Sequence, residues 1–244
     1  VYSVVTTKDG SNTLYSNKYN QHYHNIDDGA VFETLSKHVI PAFTFHKNKA
    51  NLNILDICFG LGYNTLGTIY YIKKNNIKTK LNIYSPELDE NLINSLKNFT
   101  YPKEFDSLIP IIKQLSKNFY YKDEGIEIKI HLGDAKQYLK NLDIKFDIIY
   151  QDAFSSEVNY ELWTKEYFQL LYNLSKENTI ITTYSIATPV RLSMYEAGFE
   201  IYEYIPLKRK QTLAFTSNQD ILGKYVDMEL KKINNPKAKA LYDR

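Results

Sequence analysis

From Leu52 onward, short apolar runs of strand length alternate with longer segments of helical periodicity. Leu52–Cys58 is a continuous apolar run, and Gly62–Lys74 carries a helical pattern. Lys80–Ser85 reads as a strand, Asp89–Asn98 and Pro102–Phe119 as helical, and Ile126–Leu132 as an alternating strand. Ala135–Leu142 predicts a short helix, Phe146–Gln151 a buried strand and Tyr160–Leu174 a helix. Thr179–Tyr184 (strand) and Pro189–Ala197 (helix) follow, then Phe199–Tyr204 and Thr212–Thr216 as closing antiparallel strands. Lys224–Ile233 predicts a terminal helix, and the last ten residues are expected to fray. Such alternation implies an α/β fold with a mostly parallel sheet covered on both faces.

The first fifty residues differ. Val4–Thr7 and Thr13–Ser16 flank Asp9-Gly10 and predict a hairpin. Gly29–Phe43 carries an apolar face through Val31, Leu35 and Val39, with the helix expected to end at Pro41. The chain thus divides into an N-terminal hairpin and helix extension (1–50), a Rossmann-like domain (51–220) and a C-terminal helix and tail (221–244).

Composition narrows the field. Thirty Lys+Arg against 28 Asp+Glu give a net charge of +2, which argues against coating nucleic acid by bulk charge while allowing a local basic patch. One cysteine excludes a disulfide framework and a cysteine-built zinc site. The histidines lack metal-ligand spacing on a helix, so no metal is expected. No apolar run approaches the length of a membrane span, and no signal-peptide pattern opens the chain, so a cytoplasmic protein is the expectation. Glycine is scarce: three of only nine fall at Gly60, Gly62 and Gly67.

That cluster follows the first strand of the regular region. In Asp56-Ile57-Cys58-Phe59-Gly60-Leu61-Gly62-Tyr63-Asn64, a strand runs into a glycine turn and then a helix, where backbone can approach a ligand. The dinucleotide fingerprint is broken by Thr65. The closer match is the acidic-x-G-x-G-x-G turn of class I methyltransferases, with Cys58 in place of the first Gly. Asp56 suits the cationic end of S-adenosylmethionine. Glu87, at the tip of the second strand, suits ribose hydroxyls, though a solvated loop carboxylate would look the same. Asp134, beside Ala135 after the third strand, suits an adenine amino group or a helix N-cap. Together these point to a Rossmann-like class I S-adenosyl-L-methionine-dependent methyltransferase fold.

The fourth strand ends Gln151-Asp152-Ala153-Phe154, at the carboxyl edge that faces the ligand crevice. Asp152 can orient an amine and stabilise the charge that develops as it is methylated; it also suits a cap of the following loop. Trp163 fits the core or a base-stacking platform, with the core favoured by its neighbours Leu162, Phe168 and Leu171. Lys208-Arg209-Lys210 can hold phosphates or be a solvated loop.

The sequence resembles the MnmC-type methyltransferase domain, the tRNA 5-methylaminomethyl-2-thiouridine-forming family, from about Thr6 to Ser217. The resemblance rests on Asp9-Gly10-Ser11, Tyr23-His24, Gly29-Ala30 with Glu33, Phe59–Asn64, Gln151-Asp152-Ala153-Phe154, Leu162-Trp163-Thr164 and Pro189-Val190-Arg191. It departs at Asp56, Cys58 and Leu61. It implies methylation of the exocyclic amine of 5-aminomethyl-(2-thio)uridine at the tRNA wobble position, with S-adenosyl-L-methionine as cofactor and DNA and membrane excluded as partners. Asp152 would then act at the reacting amine. Asp56, Gly60, Gly62, Asn64, Glu87, Asp134, Ala135 and Gln151 would surround the cofactor, and Lys208, Arg209 and Lys210 would meet the tRNA. Since 244 residues leave no room for the FAD oxidoreductase of fused relatives, a separate enzyme is expected to supply the aminomethyl precursor. An alternative is a methyltransferase or aminopropyltransferase acting on a small amine. A third is a cofactor- or RNA-binding module without turnover.

Overall fold

A computed structural model describes residues 2–207 and 209–244. The expected hairpin is present: β1 (Tyr2–Thr6) and β2 (Asn12–Ser16) pair antiparallel, and β3 (Gln21–His22) adds a third short strand. Its turn is organised by Asp9, whose carboxylate accepts from the Thr7 and Ser11 hydroxyls and from the Ser11 and Phe32 N–H groups. The Phe32 bond reaches the next helix, so Asp9-Gly10-Ser11 docks the hairpin there. Gly29 lets this approach happen: at φ +97°, a Cβ would overlap the Asp9 carboxylate.

The helix that follows does not stop at Pro41. Helical backbone runs from α1 (Ala30–Glu33) through a π-helical segment, Thr34–Val39, into α2 (Ile40–Phe45). Proline lacks an N–H and crowds the carbonyl four residues back. That carbonyl belongs to Lys37, and it accepts from Gln211 Nε2 at 2.7 Å instead. A tertiary contact thus absorbs the break. The deepest face also departs from the apolar pattern. Val31 and Leu35 are only partly buried, while Thr34, His38 and Val39 are fully buried.

Beyond it, the described elements are β4 (Asn51–Ile57), α3 (Tyr63–Lys74), β5 (Lys80–Glu87), α4 (Glu90–Ser95), α5 (Ile109–Asn118), β6 (Tyr120–Lys122) and β7 (Ile126–Leu132). Next come α6 (Ala135–Lys140), β8 (Phe146–Gln151), α7 (Lys165–Asn173), β9 (Ser175–Thr183) and α8 (Thr188–Glu196). β10 (Glu200–Tyr204), β11 (Gln211–Phe215), β12 (Lys224–Tyr225) and α9 (Met228–Asn234) close the chain. β4 to β12 form one mixed sheet in the order β12-β10-β11-β9-β8-β4-β5-β7-β6, separate from the three-stranded sheet of β1 to β3. The run from β9 to β7 is parallel, and the other pairings are antiparallel. The order reverses direction between β4 and β8, which places a crevice above their carboxyl ends. Ile54, Ile148 and Ile180 face one apolar layer, and their neighbours Leu55, Ile149 and Ile181 face the other, as the two-residue period of a strand requires. No described helix is long and apolar enough to cross a membrane.

Three expected elements are redrawn. Tyr160–Leu174 is not one helix: a 3-10 turn spans Tyr160–Leu162, and α7 starts after Thr164, whose hydroxyl accepts the Tyr167 N–H. Trp163, between them, is fully buried and donates its Nε1–H to the Phe154 carbonyl at 2.7 Å, as a core residue. Lys224–Tyr225 is an edge strand on β10, and α9 begins only after its N-cap Asp227. The last residues are pinned, not frayed. Lys165 N–H donates to the Leu241 carbonyl at 2.7 Å, Leu241 N–H to Ser193 Oγ at 2.8 Å, and Asp243 meets Lys136 at 2.6 Å. β3 and β6 are too short to show as periodicity.

Asp147, at the amino end of β8, ties the lower rim together. Its buried carboxylate accepts from the Asn53 N–H at 2.8 Å and pairs with Lys49 at 2.5 Å and Lys176 at 2.7 Å. Burial alone would raise its pKa, but the bonds to Lys176, Lys49 and Asn53 outweigh that and hold it below the ordinary range. Both lysines are partly in water, so the pairing itself is screened; the larger cost is the part-buried Asn53 N–H left without its partner. Asp147→Ala is therefore expected to lower stability by about 1–2 kcal/mol, read from urea midpoints, with cofactor affinity unchanged because the crevice lies at the opposite edge.

Candidate active site

The turn between β4 and α3 is a run of left-handed backbone: Cys58 at φ +65°, Gly60 at +54° and Gly62 at +75°. At Gly62 a Cβ would lie 2.8 Å from the Phe59 ring, and at Gly60 one would press on Tyr23 at 3.3 Å. Cys58 carries a side chain where the backbone favours glycine, which costs roughly 1 kcal/mol. Cys58→Gly is accordingly expected to be more stable than Cys58→Ala by about 1 kcal/mol, as compared by thermal unfolding. Burial first, then the nearby carboxylates, push the Cys58 thiol well up, so it is poorly suited to act as a nucleophile.

Glu87, at the tip of β5, is not a free loop carboxylate. Its Oε2 accepts the Gly60 N–H and its Oε1 the Asp89 N–H, both at 2.9 Å. Burial raises the carboxyl above its ordinary value despite these bonds. A backbone cradle that a Cβ would fill, a helix N-terminus at Tyr63 and a carboxylate beside the turn together fit a ligand with sugar hydroxyls and a cationic end.

Asp152, just past β8, lies on the wall of a cavity of about 840 Å³. The hairpin side supplies Tyr23 and His24, the helix Glu33 and Lys37, and the post-strand loops Phe154 and Tyr184. One Asp152 oxygen accepts from Asn64 Nδ2 at 2.9 Å, and the other lies 3.4 Å from His38 Nε2. Burial alone would raise the Asp152 carboxyl, but His38, His24 and Asn64 outweigh it and hold it below the ordinary range. An anionic oxygen is thus held at a cavity wall. Phe154 packs between Tyr19 and Tyr23, with ring centroids 5.0 and 4.9 Å away. Lys37 and Glu33 form a buried ion pair at 2.5 Å, and Glu33 also accepts the Asn25 N–H.

Gly60, Asp152, Arg209 and Lys210 all border this cavity. Asn64 reaches it through Asp152 and Glu87 through Gly60. Asp56 is buried beneath the turn, accepting from Thr65 Oγ1 at 2.8 Å. Gln151 is also fully buried, bonded to the Leu162 carbonyl and the Tyr167 hydroxyl. Asp134 caps α6 through the Gln137 N–H at 2.8 Å, and neither it nor Ala135 borders the cavity. Arg209 lies 3.5 Å from Asp28 and Lys210 3.0 Å from Glu203; Lys208 lies outside the described residues. Sequence reasoning missed His38 and Lys37. Polar residues recurring along an otherwise apolar helix were the available signal.

Residues 97–217 match the family described as S-adenosyl-L-methionine-dependent methyltransferases. The crystal structure of MnmC2 from Aquifex aeolicus superimposes with a TM-score of 0.86 at 30% identity, covering 100% of this chain and 79% of that one. An uncharacterized protein of Methanocaldococcus jannaschii is 28% identical over 222 residues, 87% of this chain and 59% of its own. The tRNA 5-methylaminomethyl-2-thiouridine biosynthesis bifunctional protein MnmC of an Azoarcus species is 27% identical over 213 residues, 82% of this chain. This chain spans only 33% of that bifunctional relative. With the glycine cradle, the strand order and the near-complete structural match in hand, the chain belongs to the MnmC-type family of S-adenosyl-L-methionine-dependent methyltransferases.

Proposed function

We propose that the protein methylates the exocyclic amine of 5-aminomethyl-(2-thio)uridine at the wobble position of tRNA. The observation that carries this reading is Asp152, an anionic carboxylate on the wall of a cavity of about 840 Å³. That volume falls in the range that holds a small-molecule group such as a modified base. Relatives named for 5-methylaminomethyl-2-thiouridine biosynthesis support the substrate class. When bound, S-adenosylmethionine supplies an electrophilic methyl group whose transfer leaves the broken carbon–sulfur electron pair on sulfur. Gly60, Gly62 and Glu87 would hold it at the turn. Asp152 would accept a hydrogen bond from the amine, aim the nitrogen lone pair, stabilise the positive charge that grows there and take the departing proton toward solvent. Arg209 and Lys210, both half exposed at the cavity mouth, would meet backbone phosphates. In this reading a separate enzyme supplies the aminomethyl group.

The test is incubation with labelled S-adenosylmethionine and tRNA from cells lacking the gene, followed by nucleoside analysis. Label in the 5-methylaminomethyl nucleoside is the expected result. Label confined to small amines would overturn the tRNA assignment.

A further inference from the structure

The mechanism above uses Asp152 but leaves a fully buried imidazole behind it unexplained. His38 stands in the π-helical turn Thr34–Val39, a local geometry often found at functional sites. Its Nδ1 is 2.7 Å from Thr182 Oγ1 on β9, and its Nε2 is 3.4 Å from Asp152 Oδ1. The Tyr150 ring packs edge-on against the imidazole with centroids 5.6 Å apart. Among the described residues Nε2 has no partner of good hydrogen-bond geometry, and the Asp152 oxygen lies 3.4 Å from it.

The tautomer follows from Thr182. That hydroxyl is fully buried, and His38 Nδ1 is its hydrogen-bond partner among the described residues. A buried hydroxyl needs an acceptor, so it donates to Nδ1. The imidazole proton then sits on Nε2, aimed at Asp152. We infer that His38, oriented by Thr182, is a positioning residue that donates to Asp152 Oδ1 and keeps this carboxylate anionic and aimed at the reacting amine. Asn64 does the same for Oδ2. Long hydrogen bonds of this kind tighten when the reacting complex forms.

Other charges near Asp152 are part of its setting. Lys37 and Glu33 border the cavity from the helix and His24 from the hairpin side. Asp56 lies beneath the turn, Cys58 in it, and Tyr184 beyond β9. None of these is held by Thr182, so the two residues His38 and Thr182 make a distinguishable pair.

The inference rests on the reading that Asp152 acts at the amine, and the experiment separates the two. Asp152→Asn, His38→Leu, His38→Gln and Thr182→Val are compared for kcat, KM, the pH profile of kcat/KM, S-adenosylmethionine affinity and thermal unfolding. The amine's own titration enters every profile equally. His38→Leu is expected to lower kcat about tenfold or more and to move the acid limb up by about one pH unit, with cofactor affinity unchanged. His38→Gln, which can still present an N–H, restores most of the rate, and Thr182→Val falls between. A folded His38→Leu protein with the wild-type profile, or a His38→Gln protein as impaired as His38→Leu, would overturn the inference. If His38→Leu does not fold, Thr182→Val decides: an unshifted profile overturns it. A wild-type rate in Asp152→Asn would instead defeat the reading beneath it.

Discussion

Replacing Asp152 by Asn is expected to reduce methyl transfer by about 10²–10⁴-fold while S-adenosylmethionine binds with near wild-type affinity. The substitution keeps shape and volume but removes the negative charge. Of the two neighbours, Asn64 Nδ2 and His38 Nε2 both offer donors, so an amide at position 152 leaves one of them facing an NH₂ group. In the proposed reaction the charge lost is the one that would offset the cation developing on nitrogen, and at a carboxylate only 17% exposed that interaction is less screened than in water. The turn at Gly60 and Glu87, proposed to hold the cofactor, is built from other atoms. Single-turnover rates with calorimetric cofactor affinity separate the two effects. An undiminished rate, or a parallel loss of cofactor binding, would show that Asp152 has a different role.

The second large effect concerns pH. Burial pushes the Asp56 carboxyl up to about 8, and the charges of Asp152 and Glu87 add to this, against opposing hydrogen bonds from Thr65 and Asn64. In the unfolded chain the same group titrates near pH 4. Between those values the folded protein holds one proton more than the unfolded chain, so stability falls as pH rises. The contribution is complete below about pH 4 and is lost by the time pH passes the folded value. The expected slope approaches 1.4 kcal/mol per pH unit, a loss of a few kcal/mol in all. Asp56→Asn keeps an oxygen for the Thr65 hydroxyl and has nothing to titrate. Urea midpoints from pH 5 to 9 should fall for the wild type and stay flatter for the variant. Asp147 and Asp152 are held low and titrate below this window, and the buried His24 and His46 are common to both proteins. Parallel curves would mean that Asp56 ionises normally in the folded state.

The glycine turn and the acids around it were legible for a local reason. Left-handed backbone at positions 58, 60 and 62 restricts which residues can stand there, and a strand run followed by a helix run locates the turn. Cys58 reads as an exception in the motif, and its φ of +65° shows that the exception carries strain. Asp134 shows the opposite case. Its position after a strand suited an adenine contact and a helix cap equally, and the bond to the Gln137 N–H is the cap.

The amino-acid sequence by itself determined the strand and helix alternation, the parallel sheet, the glycine turn and the place of Asp152 at a strand end, because each follows from periods and backbone preferences confined to a few residues. Only the tertiary structure decided what surrounds that carboxylate. His38 comes from the N-terminal helix and Thr182 from β9, 144 residues apart, and Asn64 from the first turn of α3. The same packing lets Pro41 stay inside a helical run, because a glutamine 174 residues from Lys37 takes the carbonyl that proline leaves open. Contacts at such separation leave no periodic trace along the chain, since burial in the folded molecule, and not local preference, sets which polar groups must find each other.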